Sequence, residues 1–229
     1  MYYIDAYADM YQKLQGFKIF LKDKGNELVE ANLSFEQSTR STYDIAMRDA
    51  TIDGLVTMDD LSKLKLGQLF YKEVNPNELY IIQAINKTEQ QAQSKNINAI
   101  KQNCYITVYR KEYNEESETN EYMEKYKDIV GFVSIQNKDQ KNFGAGIEDN
   151  TILNMQIPRK NIVDDYVYDI RNLDRIVIED LERNRKDEVK IESIDAYGVP
   201  GVIRLQGTFD TRTGDTRIGQ TNGTEVQLW

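Results

Sequence analysis

Three groups of residues have the types that acid–base or metal chemistry requires. Asp59 and Asp60 are adjacent carboxylates in MDDLSKL, Asp164, Asp165 and Asp169 share DDYVYDI with Tyr166 and Tyr168, and Asn114–Lys125 (NEESETNEYMEK) holds five glutamates. Two facing carboxylates hydrolyse glycosides, and clustered ones bind hard cations. The spacing supports neither. Neighbouring side chains on a helix diverge, so Asp59 and Asp60 read as the acidic start of a short helix, where its dipole favours them. The DDYVYDI acids have no spacing that sets them apart from surface acids. The five glutamates lie in a polar stretch that reads as an exposed linker or loop. Gly144 and Gly146 lack the GK[ST] ending and following helix of a phosphate loop. The chain has no His, the commonest general base and transition-metal ligand. The single Cys104 falls in an apolar strand. No catalytic residue, cofactor-binding residue or metal ligand is nominated, and no cofactor is expected.

The elements around these residues are strands. Leu173–Asp210 predicts three: Arg175–Glu179, then Val189–Ile194, then Gly201–Phe209. In the second, Val189, Ile191 and Ile194 alternate except for a one-residue slip at the end. Alternation of period two is what a strand with one buried face needs. The polar LERNRKD and the turn Gly198-Val199-Pro200-Gly201 join them. A similar cassette precedes it: Leu64–Val74, a turn at Asn75-Pro76-Asn77, Glu78–Ile85, and Cys104–Lys111 as third strand. Identity between the two is low, so this is an echo of architecture. Further strands are expected at Phe17–Leu21 and Glu27–Phe35 around a tip at Asp23-Lys24-Gly25, and at Thr42–Met47, Asp128–Ile135 and Thr151–Ile157. A helix is expected at Asp5–Leu14 and one helical turn at Met58–Leu64. Lys87–Gln102 reads as a solvated loop or a strand excursion, and Gln136–Asn150 as a surface loop. The fold class is mainly β: antiparallel barrel or sandwich modules with a few short helices. The expected domains are 1–113 (helix and first module), 114–125 (acidic linker), 126–210 (second module) and 211–229 (C-terminal arm).

The net charge of −9 disfavours a protein that grips nucleic acid or an anionic membrane surface. One cysteine excludes an intramolecular disulfide and suits a reducing compartment. The first residues show no basic region followed by an apolar run, and no window approaches a membrane span, so a soluble cytoplasmic product is expected. The fifteen tyrosines supply contact area of the kind used at interfaces. In the polar tail, Val226, Leu228 and Trp229 are the candidate anchors of an interface arm.

Two stretches carry a family resemblance. One is LKLGQLFYKEVNPNELYIIQAI with NAIKQNCYITVYRK, and the other is IPRKNIVDDYVYDIRNLDRIVIED with VKIESIDAYGVPGVIRLQGTF. They are similar to neck, or head–tail connector, proteins of the head-closure type in tailed bacteriophages of Gram-positive hosts. The resemblance covers roughly half the chain. It implies a non-enzymatic virion subunit made in the host cytoplasm and placed in the neck. Its implied partners are copies of itself in a ring, portal, adaptor or tail proteins, and passing genomic DNA held without specific binding, with no membrane involved. A tail terminator or other collar component, a β-barrel peptide-binding module and a glycan-active enzyme are the alternatives.

Overall fold

The computed structural model describes residues 16–22, 28–37, 50–56, 58–86, 95–115, 118–137, 151–161, 164–181 and 185–209. The protein is almost wholly antiparallel β. Twelve strands form two closed six-stranded barrels, and closure leaves neither barrel an open sheet edge. The first barrel holds β1 (Gly16–Lys22), β2 (Leu28–Gln37), β3 (Thr51–Val56), β4 (Leu69–Lys72), β5 (Asn75–Asn86) and β6 (Lys95–Lys101). The second holds β7 (Cys104–Asn114), β8 (Thr119–Asn137), β9 (Thr151–Pro158), β10 (Arg175–Asp180), β11 (Arg185–Asp195) and β12 (Val202–Phe209). One short helix, α1 (Met58–Leu61), lies between β3 and β4.

The barrels share one wiring. In each, the strands form two three-stranded meanders joined first to fourth and third to sixth, giving β1-β2-β3-β6-β5-β4 and β10-β11-β12-β9-β8-β7. The registers also correspond. Phe70 lies between Leu21 and Tyr80, as Ile176 lies between Val108 and Val189. Ala99 lies between Ile52 and Ile82, as Gly207 lies between Leu153 and Ile191. A β-bulge follows Ile82 in β5 and Ile191 in β11, leaving Gln83 and Glu192 out of the ladder at matching places. A cross-strand amide pair recurs too: Asn98 donates to Asp53 at 2.8 Å, and Gln206 to Asn154 at 3.0 Å. Inward side chains fill each barrel, Ile19, Leu21, Leu33, Phe70, Ile82 and Ile97 in the first and Ile106, Val108, Met155, Ile176, Ile191 and Leu205 in the second. The chain is therefore a structural duplication.

Several expectations change. Cys104–Lys111 is not the third strand of the first cassette; it opens the second barrel, and β6 takes the place of that third strand. Asn96, Asn98 and Lys101 disguised β6, although Ile97 and Ala99 point inward and Ile100 packs outward on the second barrel. Asn114–Lys125 is not a linker: β7 and β8 run through it as one hairpin, so the boundary between barrels falls at Gln102–Asn103 rather than after 113. The turn predicted at Asn75-Pro76-Asn77 lies inside β5, and the reversal sits at Glu73–Val74. Leu64–Gln68 follows α1 as a turn, and β4 begins only at Leu69. The slip at the end of Val189–Ile194 is the β11 bulge. Gln136 and Asn137, expected to open a surface loop, belong to β8 and pair with Ile152 and Thr151. The rest of that loop (138–150), the expected helix at Asp5–Leu14, the strand at Thr42–Met47, the tip at 23–25, and the arm with Val226, Leu228 and Trp229 lie outside the described residues.

The barrels dock face to side. Leu69, Ile81 and Ile100, on the outer surface of the first, bury against Phe132 and Val202 of the second, with Val130 and Val199 beside them. The β5 bulge serves this contact. Gln83, left out of its own ladder, accepts a hydrogen bond from Gly201 N through its carbonyl (3.1 Å) and donates one from its side-chain amide to Gln156 Oε1. Gly201 meets the backbone of Ile82, Gln83 and Gly67 so closely that no side chain fits there. At the junction the Asn103 side chain bonds both the N–H and the C=O of Val133, each at 2.8 Å, in place of a further strand residue.

Candidate interaction site

Because the barrels correspond strand for strand, what one has and the other lacks stands out. In the first barrel only residues 23–27 separate the last β1–β2 pair, Lys22 with Leu28. In the second, the equivalent of Lys22 is Tyr109, and the β7–β8 ladder continues for five more pairs, from Arg110–Met123 to Asn114–Thr119. This two-stranded arm rises past the barrel and buries no core of its own. A lone hairpin is marginal in water, so its order comes from its root.

The root is built from two sets of contacts. On the barrel side, Arg110 makes a bidentate pair with Asp174, Nε to Oδ1 and Nη2 to Oδ2, both at 2.9 Å. Asp174 also accepts Arg171 N at 2.9 Å and is almost wholly buried. Arg110 Nη2 donates to the Asp169 carbonyl at 2.6 Å, and Arg171 holds the Asp169 carboxylate at 2.7 Å. The Arg171 hydrogen bond, then the charges of Arg171 and Arg110, keep the Asp169 carboxyl below its ordinary range. Asp174 stands where the first barrel has Gln68, which likewise closes a turn onto the residue three before it (Lys65 N, 2.9 Å) and reaches β1 at the Lys22 carbonyl. The same position closes the turn in both barrels, through an amide in the first and a carboxylate in the second.

Beside this network Tyr126, Tyr166 and Tyr168 pack ring on ring. Centroids lie 5.8 Å apart for Tyr126–Tyr166, 5.1 Å for Tyr126–Tyr168 and 5.5 Å for Tyr166–Tyr168, stacked in the first case and edge-on in the others. The Tyr126 hydroxyl accepts Asp169 N at 3.0 Å. Burial pushes the Tyr168 phenol well above its usual value. On the opposite face of the arm, Arg175 donates through Nε to the Tyr122 hydroxyl at 3.1 Å and lies under its ring at 5.6 Å, with Lys111 5.9 Å from the same ring. Asp128, with φ 50°, and a bulge between Val108 and Tyr109 set the angle at which the arm leaves the barrel.

Among the described residues, none of the acids singled out in the sequence forms a reacting pair. Asp60 is buried, accepts Asn32 N at 3.0 Å and pairs with Lys63 at 2.6 Å, so it ties α1 to β2. Asp165 pairs with Lys160 at 3.7 Å, and Asp169 belongs to the arginine network. Among the described residues no group of three or more His, Cys, Asp and Glu could hold a metal ion. Cys104 is buried, and burial pushes its thiol far above the usual value, away from thiolate chemistry. The sequence reading missed the arm. Its signal is the near-mirror repeat KEYN…NEYMEK around Glu115–Glu118, which places Tyr113 opposite Asn120 and Glu112 opposite Glu121. No known protein family, curated protein or solved structure matches this chain. What fold and geometry define is a tandem β-barrel protein with one projecting acidic arm.

Proposed function

We propose that the chain is a non-enzymatic structural subunit of the neck of a tailed bacteriophage, placed in a ring at the head–tail interface around the DNA channel. The observation that carries the reading is the β7–β8 arm: its outer three ladder pairs, Glu112–Glu121 to Asn114–Thr119, serve neither barrel, and its root is anchored by arginine and tyrosine contacts. Ordering such a ribbon costs roughly 1–2 kcal/mol per residue, a cost with no return inside the subunit and a clear one at a contact between subunits. Two barrels locked by an apolar face suit a part that transmits load, and the charge of −9 suits a channel that must not hold DNA. The resemblance in the two barrel-forming stretches points to the same class.

Mass spectrometry and electron microscopy of purified particles of the encoding phage test this. The expected result is this chain in the particle, in density between head and tail. Its absence from purified particles overturns the reading. The isolated chain is expected to be a monomer or weak oligomer by size-exclusion chromatography with light scattering, with the ring forming on its neighbour.

A further inference from the structure

The second barrel differs in charge from one wall to the other. In its closed order the β11–β12 hairpin lies across the barrel from the β7–β8 hairpin, and the antiparallel pairings bring the turn at Ala196–Gly201 to the same end as the arm. The outer arm is acidic: no Lys or Arg occurs from Glu112 to Glu124, Glu115 and Glu118 are exposed, and Tyr113 stands 60% open to solvent. The turn opposite is basic and aromatic. Tyr197 is 84% exposed with its ring 5.6 Å from the Arg159 guanidinium, and Arg204 stands exposed on β12. Among the described residues neither arginine takes part in an ion pair. The acid at the turn, Asp195, faces Arg204 across the ladder, and its Oδ1 accepts the N–H groups of Tyr197 (3.0 Å) and Gly198 (2.7 Å). The first barrel adds exposed Lys65 and Leu66, because Gly67 packs on the backbone of Gly201 and Arg159.

We propose that the acidic outer arm of one copy docks on the Arg159–Tyr197 turn of a second copy. The proposal rests on the arm being a docking element, as above, and names where it docks. The barrel stands between the two surfaces, so an arm meets another copy's turn and not its own. On a chain of net charge −9 a locally basic turn selects an acidic occupant, and the arm supplies one with no base from Glu112 to Glu124. Exposed tyrosine and arginine on the turn, and Tyr113 on the arm, are the side chains that interfaces concentrate. Because the two surfaces differ, the contact is head to tail. Such a contact repeats from copy to copy and closes into a ring where the rotation allows.

The test uses the full chain, isotope-labelled, in amide-resolved NMR at rising concentration. Amides of Tyr113–Glu121 and of Asp195–Arg204 are expected to shift together below about 1 mM protein, and less in high salt. Glu115→Lys/Glu118→Lys and Arg159→Glu/Arg204→Glu are each expected to weaken the contact at least about tenfold. An equal mixture of the two variants is expected to restore it, because each variant's arm then opposes the other's turn in charge. Shifts absent up to about 1 mM, shifts that fall elsewhere on the barrels, or a mixture that behaves as its separate parts each overturn the proposal. So does a turn that responds to a polyglutamate peptide and not to the chain itself, which gives the site to another acidic partner. The shifts of the natural chain decide the contact if either variant unfolds. Self-contact by a chain absent from particles would keep the docking and remove the neck assignment; presence in particles without self-contact would do the reverse.

Discussion

Asp174 closes the arm end of the second barrel by holding Arg110 from β7 and the backbone of its own turn at once. Removing the buried carboxylate leaves the partly buried Arg110 guanidinium and the Arg171 N–H without their partner, so Asp174→Ala is expected to destabilise the fold by about 2–4 kcal/mol in urea unfolding. Asp174→Asn keeps an acceptor for Arg171 N, as Gln68 does in the first barrel, and should cost less. Equal losses in the two variants would mean that the charge contributes nothing. The buried phenols act on pH. Burial raises Tyr80 and Tyr168 well above the ordinary phenol value, with Glu78 adding to the effect at Tyr80. A folded value above the unfolded one means that the folded protein holds the proton more tightly. That stabilisation is fully present below pH ~10 and is lost as pH rises through the folded values. Cys104, raised by burial and then by Asp180, adds a loss that starts nearer pH ~8.5. Unfolding free energy is expected to fall steadily above pH ~10, and Tyr168→Phe should reduce that slope by about 1.4 kcal/mol per pH unit at most. An unchanged alkaline slope in the variant would remove Tyr168 from this account.

Two elements separate what the sequence reveals from what it hides. β10, β11 and β12 were legible because one face of each is buried, so period-two alternation survives, and even the β11 bulge leaves its mark as the slip before Ile194. The arm was illegible for the same reason in reverse. Both of its faces meet water beyond Arg110, so no hydrophobic alternation is imposed, and glutamate-rich composition reads as loop. β6 was half-legible: its inward Ile97 and Ala99 are diluted by asparagines that pair across strands. If the arm is held by its root alone, replacing Glu112–Glu121 with Asn-Gly closes a two-residue hairpin between Lys111 and Tyr122. Thermal stability is expected to change by less than about 1 kcal/mol, while the proposed neck role requires that entry into particles be lost. A variant that enters particles normally would make the arm dispensable. The angle of the arm is set at Asp128, whose φ of 50° favours glycine or asparagine. Asp128→Gly is expected to be near neutral and Asp128→Val to cost about 1–3 kcal/mol in the same measurement.

Across the whole molecule the duplication was visible in the sequence only as an echo, because ladder partners correspond while side chains differ. Ile19 and Ile106 match, as do Ile82 and Ile191, but Phe70 answers to Ile176 and Tyr80 to Val189. The outer faces differ most, and the difference falls on the docking surface. The three residues that receive the second barrel, Leu69, Ile81 and Ile100, correspond to Arg175, Lys190 and Thr208. Docking in the same way at this face would bury Lys190 and displace Tyr122 from the already buried Arg175, so the contact between the barrels is not self-repeating. Exchanging one such residue tests the argument. Leu69→Arg places the second barrel's side chain at the first barrel's docking face, outside the first barrel's own core. The barrel interior should survive, but the contact loses a buried leucine and gains a charge, at a cost of about 2–5 kcal/mol. Calorimetry is expected to show one cooperative transition for the natural chain and two for the variant, since each barrel keeps its own closed core. Amide shifts should be confined to β4–β6 and to the Phe132 and Val202 side of the second barrel. A single transition at the original midpoint would show that the apolar face does not hold the barrels together, leaving that role to Gln83, Gly201 and Asn103.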